Sequence, residues 1–157
     1  MSTIVVGYDG SAAAEAALAR GIERTGASGR LCVVHAWIPP RILRGSTAYG
    51  VYSAWSYERA ELELEGLAEQ HPELASVDWQ ARVIAGSPAN VLAEVATEIG
   101  ADEIIVGSHG AGRARALLGS VAHGVIHEAA CPVTVIPDRA LRRAAADPAP
   151  TTARSAS

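Results

Sequence analysis

Several residue types are scarce or missing in this chain of 157 residues, and each absence excludes a class of protein. Lysine does not occur, so all 13 basic residues are arginine. A Walker A loop needs its lysine on the phosphates and Schiff-base catalysis needs a lysine amine, so both are excluded. Phenylalanine is also absent, which predicts a core of Val, Ile, Leu and Ala.

Cysteine occurs only twice, at Cys32 and Cys131. Two cysteines cannot form a four-thiolate zinc site or a disulfide framework. Each lies in an apolar run, so we expect both to be buried, reduced core thiols.

Long apolar runs and an excess of basic residues are missing as well. No stretch approaches the roughly 20 apolar residues of a membrane span, and the chain starts without the basic region and cleavage site of a signal peptide. The net charge of −4 argues against a nucleic-acid partner. We therefore expect a cytoplasmic protein that binds neither membranes nor nucleic acid.

The sequence alternates between short apolar runs, typical of strands, and segments with the apolar periodicity of helices. Strands are predicted at 3–8, 30–37, 78–84, 102–107 and 131–136. Helices are predicted over 12–24 and 54–69, from Pro88, and from near Gly119-Ser120. Residues 38–52 are predicted as a long loop. The alternation indicates an α/β fold with an open parallel sheet and helices on both faces. In the last helix, an inward face is expected for Leu118, Val121, Ala122, Val125 and Ile126.

The domain is expected to comprise residues 1–138. Residues 139–157 are rich in Ala, Arg, Pro, Ser and Thr and show no apolar periodicity. Such a segment cannot bury enough apolar surface to fold, so a disordered tail is predicted.

A glycine-rich stretch, residues 106–121, follows the fourth strand and enters the last helix. Glycines allow backbone amides to converge on an anion, and a helix N-terminus adds partial positive charge. The hydroxyls of Ser108 and Ser120 and the side chains of Arg113 and Arg115 could then contact a phosphate. A tight strand-to-helix turn without a ligand explains the glycines equally well.

An acidic residue, Asp9, follows the first strand in the run Gly7-Tyr-Asp-Gly-Ser11. A carboxylate there can accept from ribose hydroxyls or hold Mg²⁺ through water. The alternative, which the pattern alone favours, is that Asp9 only caps the first helix.

The histidines point to no established catalytic pattern. His35 ends a strand on the expected ligand side, and His109 lies in the glycine-rich stretch, where it could contact a phosphate when charged. His123 and His127 have metal-ligand spacing, but no glutamate-containing zinc motif surrounds them. Two ligands alone make a poor metal site, so surface or dimer-contact residues are the favoured interpretation.

Five motifs in order give the chain a family resemblance. They are the opening Ile-Val-Val-Gly-Tyr-Asp-Gly-Ser, the Val-Val-His-Ala end of strand two, Gly-Ser-Pro-Ala-Asn-Val-Leu from Gly86, Ile-Val-Gly-Ser-His-Gly…Leu-Leu-Gly-Ser-Val, and the closing Cys-Pro-Val-Thr-Val-Ile-Pro. Over residues 3–137 the chain resembles the universal stress protein family. This resemblance implies a strand order of 3-2-1-4-5, a homodimer through residues 131–136 and, in one branch of the family, bound ATP.

The resemblance also implies a set of site residues. Asp9 would meet the ribose, with Mg²⁺ as a further indirect partner, and Ala36 would meet the adenine. The candidate nucleotide-binding residues are Gly7, Asp9, Ala36, Gly107, Gly110, Arg113, Gly119, Ser120 and Val121. The ATP-binding branch has the pattern Gly-x2-Gly-x9-Gly-Ser/Thr. Here only eight residues, 111–118, separate Gly110 from Gly119, so the loop is one residue shorter.

Three functions follow as alternatives. The favoured one is an ATP-binding dimeric regulatory module of the stress response. The second is a slow ATPase or phosphotransferase that uses Asp9 and Mg²⁺, although no nucleophile elbow or strong general base is present. The third is a nucleotide-free dimeric scaffold, for which the shortened loop is the evidence.

Overall fold

Five parallel strands form one sheet in the order β3-β2-β1-β4-β5, which confirms the predicted fold class. A computed structural model describes residues 1–38, 47–109 and 118–137, with side chains in the same ranges except 47–55. The strands are β1 (Thr3–Gly7), β2 (Arg30–Trp37), β3 (Asp78–Ala85), β4 (Glu103–Gly107) and β5 (Val133–Ile136). The helices are α1 (Ala12–Thr25), α2 (Thr47–Glu65), α3 (Leu67–Gln70), α4 (Pro88–Ile99) and α5 (Ser120–Glu128), with a 3-10 helix at Pro72–Ser76.

Two apolar cores lie on opposite faces of the sheet. On one face α1, α2 and α3 pack on alternate strand residues such as Val6 and Val33, whereas on the other face α4 and α5 pack on Val5 and Val34. Central strands that are covered on both sides need continuous apolar runs, as the sequence of β1 shows. No helix in the described part of the chain is long and apolar enough to cross a membrane.

Several predicted boundaries are wrong. Helix α2 begins at Thr47, inside the expected loop 38–52, and the helix expected over 54–69 breaks at Gly66 into α2 and α3. Strand β5 begins at Val133 rather than residue 131. The expected tail, residues 139–157, lies outside the described residues.

Two residues of α5 do not face inward as predicted. Leu118, just before the helix, is 41% exposed and Ile126 is 49% exposed, whereas Ala122 and Val125 are buried. Helix α5 has only nine residues and is buried only at Ala122 and Val125. Apolar side chains beside this narrow contact therefore stay exposed. Cys32 is a buried free thiol as expected, but Cys131 is only half-buried.

A buried carboxylate at the start of β4 was not anticipated from the sequence. Glu103 is only 7% exposed. It accepts hydrogen bonds from the Thr134 hydroxyl and from the Arg24 guanidinium, whose Nη2 lies 3.0 Å from Oε2. Burial alone would raise the pKa of Glu103, but these hydrogen bonds outweigh it and lower the pKa below the ordinary carboxyl value. Glu103 therefore joins α1, β4 and β5 as an ionised group.

Candidate functional site

A crevice of about 110 Å³ opens at the carboxyl ends of β1 and β4. Between these two strands the strand order reverses, because the chain adds β2 and β3 on one side of β1 and then β4 and β5 on the other. Ligands bind at this position in open parallel sheets. The crevice is lined by Gly7, Tyr8, Asp9, Ser11, Ala14, Val34, Ala36, Pro88, Leu92, Val106, Gly107, His109 and Val121.

The turn from β1 to α1 places Asp9 at the mouth of this crevice. The Asp9 carboxylate accepts a hydrogen bond from the backbone N–H of Ser11 at 3.0 Å, and the Ser11 hydroxyl in turn accepts from Ala14 N–H at 3.2 Å. Ser11 is thus the N-cap of α1, and Asp9 stabilises the turn before it. The expectation that Asp9 itself caps the helix is wrong, and the exposed Asp9 lines the crevice.

The other side of the mouth is formed by the start of α5. The Ser108 carbonyl accepts from the Gly119 N–H at 2.7 Å, so the two ends of the glycine-rich stretch are held together. No side chain caps α5 in the described residues, because its N-cap is Gly119. Among the described residues no partner outside the helix accepts from its first-turn N–H groups, and a helix N-terminus of this kind favours an anion.

The glycines at the crevice are required by packing. A Cβ on Gly107 would lie 2.5 Å from the Ala13 Cβ and 2.9 Å from the Ala13 carbonyl carbon. A Cβ on Gly119 would lie 2.8 Å from the Ser108 carbonyl oxygen. Gly107 thus allows α1 to approach β4, and Gly119 allows α5 to start against Ser108. Neither glycine is by itself evidence of a ligand.

The inner wall of the crevice is apolar. Val34 and Ala36 project from β2 on the α4 face of the sheet, and Leu92 covers them from α4. Such a slot between a strand and a helix suits a flat, apolar ring, with the polar groups of Asp9 and α5 at its open end. Val34 and Leu92 belong to two of the family motifs but are not among the predicted site residues, although the alternation of β2 puts Val34 on the same face as Ala36.

A chain of polar contacts connects the turn between β1 and α1 to the end of α3. Tyr8 donates its hydroxyl hydrogen to Glu15, and Glu15 lies 2.9 Å from His71 Nε2. The His71 Nδ1 is 3.3 Å from Glu73. Burial, and then the bond to Glu15, raises the pKa of Tyr8 above its ordinary value, so Tyr8 acts as a neutral donor. The contacts tie β1 and α1 to the end of α3.

Two histidines near the strand ends have different surroundings. His109 lines the crevice, and its Nδ1 lies 3.2 Å from the Ser108 hydroxyl. Side chains alternate along β2, and Leu31 and Val33 belong to the core on the α1 side of the sheet. His35 lies on that side too, and its side chain points away from the face of Ala36. The expectation that His35 lies on the ligand side is therefore wrong.

The structure brings most of the predicted site residues to one place. Gly7, Asp9, Ala36, Gly107 and Val121 line the crevice, and Gly119 and Ser120 form the adjoining start of α5 without lining it. Gly110 and Arg113 lie outside the described residues. No group of three or more metal-ligating side chains occurs within the described ranges, so Asp9 would need water or a ligand to hold a cation.

Comparison with known proteins places this crevice in a family. The sequence model of the Universal stress protein family matches residues 1–137. The chain belongs to the universal stress protein family. A relative of this family from Thermus aquaticus, described as a universal stress protein in the QAH/OAS sulfhydrylase 3′ region, is 35% identical over 138 residues. The match spans 85% of this chain and 97% of that protein.

Solved structures of the family share the fold. A universal stress protein crystallised in complex with cAMP is 27% identical, with a TM-score of 0.60 over 86% of this chain and 95% of that one. A family protein from Arabidopsis thaliana, solved with AMP bound, is 18% identical, with a TM-score of 0.59 over 87% of this chain and 91% of that one.

Proposed function

We propose that this protein is a cytoplasmic, dimeric regulatory module that binds ATP in the crevice between β1 and β4. The observation that carries the proposal is an apolar slot and an acidic residue in one crevice, with the start of α5 beside it. A nucleotide has matching parts: a base for the slot, a ribose for Asp9 and phosphates for the helix start.

Each feature has a chemical counterpart in the ligand. The slot formed by Val34, Ala36 and Leu92 would hold the adenine ring by apolar contact. Asp9 would accept hydrogen bonds from the ribose hydroxyls, and the first-turn amides of α5 would bind phosphate oxygens. A related protein of this family has been crystallised with cAMP, which supports an adenine nucleotide as the class of ligand.

A substitution that fills the apolar slot tests the proposed nucleotide site. Ala36→Leu should abolish ATP binding in calorimetric titration, because the added carbons occupy the place of the base. Ala81→Leu is the matched control, since Ala81 is exposed on β3, away from the crevice. Denaturing the purified protein should also release ATP, identified by mass spectrometry. Equal ATP affinity in the Ala36→Leu and Ala81→Leu variants would overturn the proposed site.

The fate of ATP bound to the purified protein distinguishes a binding module from an enzyme. Tyr8, Asp9 and His109 are the titratable groups among the described residues that line the crevice. The pKa of Tyr8 is raised above its ordinary value, and the Asp9 carboxylate accepts a hydrogen bond from the Ser11 N–H instead of holding a nucleophile. We therefore expect bound ATP to be retained intact over hours, with no phosphate released. Steady phosphate release that Asp9→Asn abolishes would favour the slow ATPase.

Dimerisation is proposed through the free edge of β5. The carbonyls of Pro132 and Ile136 accept hydrogen bonds from β4, so by alternation Val133 and Val135 direct their N–H groups outward. No partner for these N–H groups lies in the described ranges, and an apolar edge strand of this kind needs cover. Val135→Pro should give a monomer in sedimentation velocity, whereas Val135→Thr, which keeps the N–H, should remain a dimer. A monomeric native protein at micromolar concentration would refute this interface.

A further inference from the structure

The pair of histidines on the outer surface of α5 lies outside the crevice. His123 and His127 are four residues apart, so they lie on the same side of the helix. Their ring centroids are 4.8 Å apart and the rings meet edge to face. Both side chains are exposed, and the described residues show neither a hydrogen bond nor an ion pair to either ring.

This spacing agrees with the geometry of two imidazoles on one metal ion. A zinc–nitrogen bond is about 2.0–2.1 Å, which places each ring centroid about 3.2 Å from the ion. For an angle of about 90–110° at the metal, the two centroids are then about 4.5–5.2 Å apart. The separation in the structure, 4.8 Å, falls within that interval. Because the rings meet at 63°, they have to turn about their side-chain bonds to direct one nitrogen each at a shared ion.

The helix supports a cation at this place in two further ways. His127 lies in the last turn of α5, where the free carbonyl groups carry partial negative charge. The helix itself is anchored by Ala122 and Val125, which are buried against α4 and the sheet. The helix backbone that carries both ligands is therefore fixed before the ion arrives, so binding has to order only the two exposed rings.

We propose that His123 and His127 form a chelating site for one divalent transition-metal ion per chain. Imidazole nitrogens suit Cu²⁺, Ni²⁺ and Zn²⁺, and the affinity order for a given site favours Cu²⁺. Water occupies the remaining positions, since no third metal-ligating side chain accompanies the pair in the described part of the chain. The site is therefore exchangeable, and the fold does not depend on it. It is independent of the nucleotide crevice.

Calorimetric titration of the untagged protein with Cu²⁺ and Zn²⁺ salts tests the site. We expect one ion per chain, tighter binding of Cu²⁺ than of Zn²⁺, and an electron paramagnetic resonance spectrum of bound Cu²⁺ with two nitrogen ligands. His123→Asn and His127→Asn should each lower the affinity at least about ten-fold, because a chelate becomes a single contact. The control His71→Asn should leave it unchanged.

Moving one ligand along the helix separates chelation from general attraction of the surface. In the His127→Asn background, Ile126→His restores a same-side pair at a spacing of three residues and should recover Cu²⁺ binding. Glu128→His, at a spacing of five, should not. Circular dichroism checks that each variant keeps its helices. Affinities within two-fold of the native value in both His123→Asn and His127→Asn, or half an ion per chain, would overturn the proposal.

Discussion

The hydrogen bond between Thr134 and the buried carboxylate Glu103 should make a large contribution to stability for a single contact. Thr134→Val removes the hydroxyl and keeps the branched shape of the side chain. A hydrogen bond to a charged group contributes about 1.5–3 kcal/mol. Because Thr134 is half-buried on an edge strand, we expect a loss near the lower value, about 1.5 kcal/mol. Urea unfolding monitored by circular dichroism measures it.

A second threonine supplies the control. Thr25 is buried, and its hydroxyl donates to the Gly21 carbonyl at 2.8 Å, a neutral acceptor within the same helix. Thr25→Val should therefore cost less than Thr134→Val. Arg24→Met should also cost less, because the Arg24 side chain is 52% exposed and water screens its ion pair. Equal losses for the two threonine variants would show that the charge on Glu103 does not strengthen the contact.

The pH dependence gives an independent check on the same group. The pKa of Glu103 is lower in the folded protein than its ordinary value, so its contribution is fully present above the ordinary carboxyl pKa, about 4.3. It is lost as the pH falls through the lower, folded pKa. The difference in unfolding free energy between the native protein and Thr134→Val should thus be constant from pH 7 to about pH 5 and shrink at more acid pH. A difference that does not change with acid would refute the ionised carboxylate.

Three further changes test the loop, the tail and a glycine. Inserting one glycine between Ala111 and Gly112 should strengthen ATP relative to AMP in calorimetric titration, whereas weaker ATP binding would show that the shorter loop is adapted to its ligand. Deleting residues 144–157 should leave the Tm and ATP affinity unchanged, and a loss of several degrees would show that the tail docks on the domain. Gly107→Ala should destabilise the nucleotide-free protein by about 1–3 kcal/mol in urea unfolding, since its Cβ would overlap Ala13; full stability would contradict the packing role.

The sheet could be predicted because its sequence signals are local and consistent. The apolar run of β2 is followed by Pro39-Pro40, which predicts the end of the strand. The bounds of β2, Arg30–Trp37, agree with the prediction. Ser11 before an alanine-rich segment indicates the start of α1, which begins at Ala12. In both cases a capping or breaking residue adjoins a clear apolar pattern, and no distant contact is needed to decide the boundary.

The errors arise where local propensity does not decide the structure. The glycines and serine near residues 45–50 indicate a loop, yet α2 starts at Thr47, so the helical conformation prevails over local propensity there. Glu103 appears in the sequence as a polar residue at the start of a strand. Its burial depends on Arg24 and Thr134, which are 79 and 31 residues away. No local pattern contains that information.

The candidate site shows the same division between local and distant determinants. A glycine in a strand-to-helix turn predicts that another group approaches the backbone closely. The sequence does not distinguish a ligand from another part of the chain as that group. At Gly107 the partner is Ala13, and at Gly119 it is the Ser108 carbonyl. The residues that can distinguish a nucleotide site from an empty turn are therefore the non-glycine ones. Asp9 keeps an exposed carboxylate at the crevice while it stabilises the turn, and Ala36 leaves open a slot that a larger side chain would fill. Substitutions at these two positions change the ligand surface with little change to the packing of α1 and α5, and so they test function where the glycines test the fold.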